Sequence, residues 1–268
     1  MQAIKSWVFN QTRPVAFRGK VRIIEGRLPP LGTETVFIFG YKISLDLRNF
    51  LDRMIYLGTY EPLNTYRFRK LLRPGMTVVD VGANIGYFSL LAARQVGPAG
   101  RVLALEPHPM NFAVLEQVQV SNAIGCLTPM RIGLADTSGT ASIGMADQEA
   151  YPNRTASMVE PDASHTPVPV MSLDDLVESE GIARIDLLKI DVDGFETRII
   201  AGARKSLERG IIDHLIIEFN DFWLAKSGSS VPCLAEMISA GGLVDRSYQD
   251  RLAGFFLGPS DDRRYTRR

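Results

Sequence analysis

The chain has 268 residues, of which 46% are hydrophobic and 22% charged, so it can bury one sizeable core, as a single domain or with a small appendage. Thirty basic side chains balance thirty acidic ones, which gives no net charge for holding nucleic acid or a membrane surface. No run of 18 apolar residues and no signal-peptide core occur, so we expect neither a spanning helix nor secretion, and a cytoplasmic location. Cys126 and Cys233 lack metal-ligand spacing and are expected to be buried free thiols.

Residues 1–72 are predicted to form an N-terminal extension. Apolar residues at 36–39 and 42–47 flank a Gly-Tyr pair, which predicts a β-hairpin, with residues 21–25 as a candidate partner strand. A helical pattern follows over residues 48–72 and is interrupted at a Glu-Pro pair. We expect this extension to pack over the mouth of the main sheet.

Tyr60 and Glu61 stand at that interruption of the helical pattern. If the extension covers the sheet mouth, this pair could reach a bound cofactor. A helix end with a local hydrophobic contact explains the same two residues and is slightly favoured.

From residue 73 to 260, short apolar strands alternate with helix-length segments, which predicts an α/β fold with a doubly wound, mostly parallel sheet. The strands are placed at 77–81, 101–105, 127–131, 186–191 and 214–219, and the helices begin near 86, 110, 173, 196 and 231. The Pro-rich segment 147–169 is interpreted as a long loop of the kind that covers substrates. The Arg-rich end, 261–268, is expected to be a disordered, solvated tail.

The most informative segment joins the first of these strands to its helix. Asp80 ends the strand, and Gly82 and Gly86 flank a turn in which the backbone can approach a ligand closely. A dinucleotide-binding loop would have the spacing G-x-G-x-x-G, whereas this turn has D-x-G-x-N-x-G with Asn84 inside it. An acid would repel a pyrophosphate but suits an ammonium, as in the methionine part of S-adenosylmethionine. A tight turn with a capping Asp is the simpler alternative.

A second acid follows at a distance typical of nucleoside binding. The strand at 101–105 ends in Glu106, which is 20 residues after Gly86. In doubly wound sheets an acid at this position accepts hydrogen bonds from the ribose hydroxyls. Glu106 alone would be an ordinary strand-end charge, but together with the glycine turn it predicts a ribose contact.

These segments resemble the class I S-adenosylmethionine-dependent methyltransferases and, within them, the FkbM family. The stretches that carry the resemblance are DVGANIGYFS, LEP, KIDVDGFE and IIEF, in this order along the chain. The family usually has Glu where this chain has Asp193. The resemblance implies a Rossmann-like fold and an O-methyltransferase that acts on a sugar-containing or polyketide-like small molecule. It also implies that Asp136, after the third strand, contacts adenine, although a turn beginning at Asp136 is an equal alternative.

The acceptor chemistry is predicted at two adjacent strand ends. Asp191 and Glu218 are the candidates for binding the acceptor hydroxyl, and Lys189 would orient or neutralise them. Crowded carboxylates raise one another's pKa unless a cation lies among them, so Mg²⁺ bound by Asp191, Asp193 and Glu218 is a second hypothesis. A purely structural ion-pair network is the third.

Two other function classes stay open from the sequence. One is methyl transfer to nitrogen or carbon with the same cofactor. The other is a nucleotide-binding module or an NAD-dependent oxidoreductase, disfavoured by the missing third glycine of the phosphate loop and by the absence of a Tyr-x-x-x-Lys pair. The acceptor, its methylated position and the oligomeric state are not encoded in any motif of the chain.

Overall fold

The computed structural model describes residues 32–145, 156–159, 166–250, 253 and 261–267. The helices are α1 (Phe50–Leu57), α2 (Pro62–Leu71), α3 (Tyr87–Val96), α4 (Pro109–Ser121), α5 (Leu173–Ser179), α6 (Glu196–Ala201), α7 (Arg204–Glu208), α8 (Asp221–Lys226) and α9 (Val231–Ala240), with a 3-10 helix at Ser247–Asp250. The strands are β1 (Thr33–Ile38), β2 (Tyr41–Asp46), β3 (Thr77–Val81), β4 (Arg101–Leu105), β5 (Leu127–Met130), β6 (Gly133–Leu134), β7 (Gly139–Met145), β8 (Ala156–Val159), β9 (Thr166–Met171), β10 (Ile185–Ile190), β11 (Ile212–Glu218), β12 (Leu243–Asp245) and β13 (Asp262–Arg267).

The N-terminal hairpin and the interrupted helix are confirmed. β1 and β2 pair antiparallel around the turn at Phe39 and Gly40, both of which have positive φ angles. The Asn49 side chain caps α1 by accepting hydrogen bonds from two backbone N–H groups, and Gly58 in the left-handed region ends that helix. The candidate strand at residues 21–25 lies outside the described residues.

A seven-stranded sheet forms the centre of the fold, with the order β12-β13-β11-β10-β3-β4-β5. The five strands from β11 to β5 are parallel, and the chain order reverses between β3 and β10. All five had been predicted from their apolar runs, and the doubly wound α/β fold class is confirmed. In such sheets the point of reversal opens a crevice at the carboxyl edge.

The C-terminal end is a strand of this sheet, so the predicted disordered tail is wrong for residues 262–267. β13 lies between β11 and β12 and pairs antiparallel with both. Arg264 is buried and forms an ion pair with Asp250 at 2.9 Å, while the Arg267 guanidinium donates to three backbone carbonyls. Because an ion pair and hydrogen bonds satisfy the guanidinium groups of these arginines, a segment without an apolar pattern can form a strand of the central sheet.

A second sheet, with the order β6-β9-β7-β8, contradicts the predicted long loop in its described parts, 156–159 and 166–169. In β9, Val168 and Val170 are buried while Pro167 and Pro169 are exposed, so the prolines conceal a strand alternation. Among the described strands, β6 pairs only with the last two residues of β9. The prolines therefore lie where β9 has a partner on one side, which is where a strand tolerates them.

Apolar side chains form two clusters on opposite faces of the central sheet. Val78 and Val79, consecutive in β3, belong to different clusters because successive strand residues point to opposite faces. The Val78 cluster includes the hairpin and α3, and the Val79 cluster includes the second sheet. The extension thus shares a core with the main domain, and the boundary at residue 72 stays a prediction.

Two further expectations concern the cysteines and membrane spans. Both cysteines are free, but Cys126 is half-buried and Cys233 is exposed at the start of α9, so the prediction that they are buried is wrong for Cys233. Among the described residues, no helix is both long and apolar enough to span a bilayer.

Candidate active site

The turn between β3 and α3 is compact because two positions exclude side chains. Gly82 has a φ angle of +75°, and a Cβ atom there would lie 1.9 Å from the backbone oxygen of Asp191. Gly86 has a φ angle of +90°, and its Cβ would meet the Leu115 side chain at 2.6 Å. Asn84, between them, has a φ of 52°, which Asn tolerates better than most residues. The glycines let the turn pack directly against the end of β10 and against α4.

Asp80 lies behind this turn and does not face the cavity, contrary to expectation. It is fully buried, accepts a hydrogen bond from Ser89 Oγ at 2.6 Å, and has its Oδ1 atom 3.9 Å from Lys189 Nζ. Burial raises the pKa of Asp80, and the Lys189 ammonium and the Ser89 hydroxyl oppose this. Its contacts make Asp80 an anchor for α3 and for Lys189.

Glu106, at the end of β4, is held from several sides. Its Oε2 accepts from the Asn84 backbone N–H at 2.7 Å and its Oε1 from the His108 N–H at 2.9 Å. Burial raises the pKa of Glu106 to about 7, and hydrogen bonds with His108, Asn84 and the Asn111 side chain oppose this. Because a carboxylate offers about four lone-pair positions, Glu106 keeps acceptor capacity for a ligand.

A cavity opens at the carboxyl edge of the central sheet, at the point where the chain order reverses. Five predicted site residues line it: Gly82, Asn84, Glu106, Asp191 and Asp193. The extension contributes Leu51, Tyr60 and Glu61, and the segment after β5 contributes Ile132, Gly133 and Leu134. The cavity thus runs from Glu106 across the glycine turn to Asp191.

Asn111 is a cavity residue that the sequence did not single out. It lies in the first turn of α4, is 2% exposed and stands beside Glu106 in the cavity wall. A signal was available, because α4 begins only three residues after Glu106 and its first turn must therefore approach the strand end. For Tyr60 and Glu61 the sequence leaves a cofactor contact and a simple helix end as alternatives, and the structure brings both residues into the cavity wall.

Lys189 is a buried cation that serves two carboxylates. It is 2% exposed, and its Nζ atom lies 2.9 Å from Asp191 Oδ2 and 3.9 Å from Asp80 Oδ1. Burial opposes the charged form, but the attraction of Asp191, Asp80 and Glu61 outweighs it and raises the pKa of Lys189 above its ordinary value. Lys189 does not line the cavity and therefore acts through Asp191, which does.

The two remaining acids of this cluster differ in position. Asp193 lines the cavity with a left-handed backbone, φ 49°, and burial together with Asp191 and Glu196 raises its pKa to about 7. Glu218 lies outside the cavity wall, and its buried Oε2 atom has no hydrogen-bond partner among the described residues. Burial, followed by the Asp191 charge, raises the pKa of Glu218 to about 9.

The magnesium hypothesis for Asp191, Asp193 and Glu218 is not supported. Within the described ranges, no three or more His, Cys, Asp or Glu side chains are arranged to hold an ion. Asp191 instead directs its carboxylate to the Lys189 ammonium, which supplies the positive charge that crowded acids need.

Asp136, the candidate adenine contact, also lies outside the cavity wall. Its side chain is 39% exposed and accepts a hydrogen bond from Arg198 Nε at 2.9 Å. The neighbouring residue Ile132 does line the cavity and gives this side an apolar surface, with Leu134 fully buried behind it.

Comparison with known proteins shows that this chain is similar to methyltransferases. A model of the methyltransferase FkbM domain matches residues 80–248. The 31-O-demethyl-FK506 methyltransferase FkbM of Streptomyces tacrolimicus is 33% identical over 164 residues, covering 49% of this chain and 60% of that protein. The hexuronic acid methyltransferase AglP of Haloferax volcanii is 30% identical over 141 residues, covering 53% and 54%. The matches thus span between about half and three fifths of these relatives.

Solved structures also align with this chain. Methyltransferase FkbM from Methylobacillus flagellatus KT aligns with a TM-score of 0.44 and 17% identity, covering 81% of this chain and 52% of that one. Fibrillarin from Aeropyrum pernix, in complex with natively bound S-adenosyl-L-methionine, aligns with a TM-score of 0.44 and 12% identity, covering 90% and 84%.

Proposed function

Because this chain belongs to the FkbM methyltransferase family, we propose that it transfers a methyl group from S-adenosylmethionine to a hydroxyl of a sugar-containing or polyketide-like small molecule. The observation that carries the proposal is the cavity in which Glu106 and the Gly82–Asn84 backbone meet at the point of strand reversal. This is where ligands bind in open α/β sheets.

The cavity residues fit the parts of this cofactor. The Glu106 carboxylate suits a ribose diol, since the backbone N–H groups of Asn84 and His108 hold it in place and leave lone pairs free. Ile132 offers apolar surface for a flat base. The backbone of the Gly82 turn is bare enough for close approach of the methionine part.

A bound sulfonium supplies an already activated methyl group, so the protein contributes mainly orientation. Holding two reactants in line can account for about 7–11 kcal/mol of a barrier. Asp191 and Asp193, which also line the cavity, are the polar side chains available to an acceptor. Exclusion of water there would strengthen every charge interaction with the acceptor.

The acceptor hydroxyl needs a group that orients it and receives its proton. We assign this to Asp191, which lines the cavity and is fixed by the Lys189 ammonium at 2.9 Å. Glu218, on the neighbouring strand, would act through its buried and unpartnered Oε2 atom only if the acceptor reaches beyond the present cavity wall.

Oxygen as the acceptor atom and the acceptor class rest on relatives. The names of two relatives denote methylation of a demethylated 31-oxygen and of a hexuronic acid. For this chain, both features are proposals.

Thermal-shift assays with S-adenosylhomocysteine and NADH test the cofactor. We expect stabilisation by S-adenosylhomocysteine, whereas stabilisation by NADH alone would support the oxidoreductase alternative. Incubation with methyl-labelled cofactor and a panel of sugars and macrolides, followed by NMR of the product, then tests the acceptor. Label found on nitrogen or carbon would contradict the oxygen assignment.

A further inference from the structure

Glu61 has an unusual backbone and a side chain that does not cap the backbone of its own helix. It precedes Pro62 at the start of α2 with φ 35° and ψ 61°, in the left-handed region. Few non-glycine residues other than Asn and Asp adopt this region, and such outliers concentrate at ligand sites. At a helix N-terminus an acid would normally accept from the first backbone N–H groups, but Glu61 makes no such capping bond. It lines the cavity instead.

A buried amide orients the Glu61 carboxylate. Asn64 is fully buried, and its Nδ2 donates to Glu61 Oε2 at 2.8 Å and to Asp262 Oδ2 at 2.7 Å. The Asn64 Oδ1 atom in turn accepts from Arg67 Nη1 at 2.9 Å, and Arg67 Nε donates to Asp250 at 3.1 Å. The carboxylate is therefore tied to a rigid network that joins α2 to β13, as preorganised binding groups are.

The charges around Glu61 are unbalanced. Lys189 is the cation that this part of the cavity shares, and it interacts with Asp191 at 2.9 Å, with Asp80 at 3.9 Å and with Glu61 through space. Three carboxylates thus face one ammonium, and Asp262 adds a further negative charge near Glu61. A second cation, supplied by a ligand, would relieve this excess.

The position of Glu61 in the cavity indicates which part of a bound cofactor it would contact. Glu106 follows β4, whereas Glu61 is linked through Asn64 to Asp262 of β13, which lies on the far side of β3 and its Gly82 turn. Asp80 is fully buried, accepts a hydrogen bond from Ser89 and is not part of the cavity wall, whereas Glu61 is.

Resting on the proposed function, we infer that Glu61 binds the ammonium group of the methionine part of S-adenosylmethionine. Asn64 acts as the positioning residue that aims this carboxylate. The role belongs to the extension, so the extension completes the cofactor site in addition to covering it.

The proposal implies a pH effect on binding. Burial, together with Asp191 and Asp262, raises the pKa of Glu61 to about 7, while Lys189 and Asn64 oppose this. Tyr60, which lines the cavity next to Glu61, has its own phenol pKa raised by burial and by the Glu61 and Asp191 charges. Because an ammonium is bound by the ionised form, affinity for it should fall as the pH drops below about 7.

Two ligands that differ in the amino-acid part separate this role from general binding. S-adenosylhomocysteine carries the ammonium, and 5′-methylthioadenosine lacks the entire amino-acid part. By titration calorimetry we expect Glu61→Gln to weaken S-adenosylhomocysteine about 10- to 100-fold and methylthioadenosine less than about twofold. Glu116→Gln, which removes an exposed acid from α4, is the matched control and should leave both affinities unchanged.

The outcomes distinguish the two proposals. Equal weakening of both ligands, or of neither, overturns the ammonium role of Glu61 and leaves the methyltransferase proposal standing. Wild-type protein that binds neither ligand overturns both proposals. If Glu61→Gln does not fold, the wild-type affinity ratio of the two ligands is measured from pH 5.5 to 8.5. A ratio that favours S-adenosylhomocysteine increasingly as pH rises through about 7 supports the inference, and a constant ratio overturns it.

Discussion

The two ends of the cavity hold their carboxylates by different means. At the Glu106 end, backbone N–H groups of Asn84 and His108 donate to the carboxylate, and both come from the strand-turn-helix segments around it. At the Lys189 end, defined by Glu61, Lys189 and Asp191, side chains orient the acids. The first arrangement is a local property of a βα unit. The second requires that the extension, β3, β10 and β13 come together.

This difference predicts which substitutions act mainly on the fold and which act mainly on binding. When a carboxylate held by backbone N–H groups is replaced, the change leaves no buried charge without a partner. A carboxylate held by a buried charge depends on that charge, and the charge depends on the carboxylates in return.

The largest effect is expected for Lys189→Met. Removal of this buried ammonium leaves Asp80 and Asp191 without their counter-charge, so the free energy of unfolding at pH 7 should fall by about 3–5 kcal/mol. Urea denaturation measures this free energy of unfolding. Lys205→Met, at an exposed position in α7, is the control and should change stability by less than about 0.5 kcal/mol. A loss no larger than that of the control would remove the contrast between the two ends.

Glu106→Gln should act mainly on binding. Because each carboxylate oxygen accepts from a backbone N–H group, the amide nitrogen leaves one of these donors unpaired, which should lower stability by about 1–3 kcal/mol, less than Lys189→Met. An amide presents one acceptor oxygen in place of two, so we expect about 10- to 100-fold weaker binding of both S-adenosylhomocysteine and methylthioadenosine. Titration calorimetry of both ligands gives the comparison with Glu61→Gln. Loss confined to S-adenosylhomocysteine would mean that Glu106 contacts the amino-acid part, and the assignment of the two ends would have to be reversed.

Asp193→Asn tests the comparison through the pH dependence of the free energy of unfolding. Burial and the nearby acids raise the pKa of Asp193 from 3.8 to about 7, so its folded form holds the proton more tightly than the unfolded chain does. Its stabilising contribution is complete below about pH 4 and is lost as the pH rises through about 7. Relative to wild type, the variant should therefore gain about 2–3 kcal/mol between pH 5 and pH 8.

The Asn side chain suits the same left-handed backbone, so strain should not obscure this measurement. Glu178→Gln, at an exposed site in α5, provides the control. Denaturant unfolding curves of wild type and variant with the same pH dependence would contradict the expectation.

The smallest effect is expected for Asp136→Ala. Because Asp136 is 39% exposed, pairs with Arg198 and lies outside the cavity wall, its removal should change the affinity for S-adenosylhomocysteine less than about twofold. A tenfold loss would instead support the adenine contact that the family resemblance implies. Ile132→Ala, in the cavity wall, serves as the comparison and should weaken binding more.

Much of the main domain could be predicted because its signals are local. The apolar runs of β3 and β4 and the glycines of the first turn identify strands and turn without knowledge of their neighbours. Glu106 follows from its spacing to Gly86 for the same reason. The β9 strand was missed because its prolines interrupt the pattern that marks a strand, and their tolerance depends on how far β6 extends beside it.

The sequence by itself determined the α/β fold class, the glycine turn and the strand-end acids, since each depends on residues close together in the chain. Only the tertiary structure decided which acids face the cavity: Asp191 and Glu61 do, whereas Asp80 and Glu218 do not line it. It also turned an arginine-rich end into β13, because the partners of Arg264 lie in other elements. A buried charge is stable only beside its counter-charge, and the chain places that counter-charge by folding.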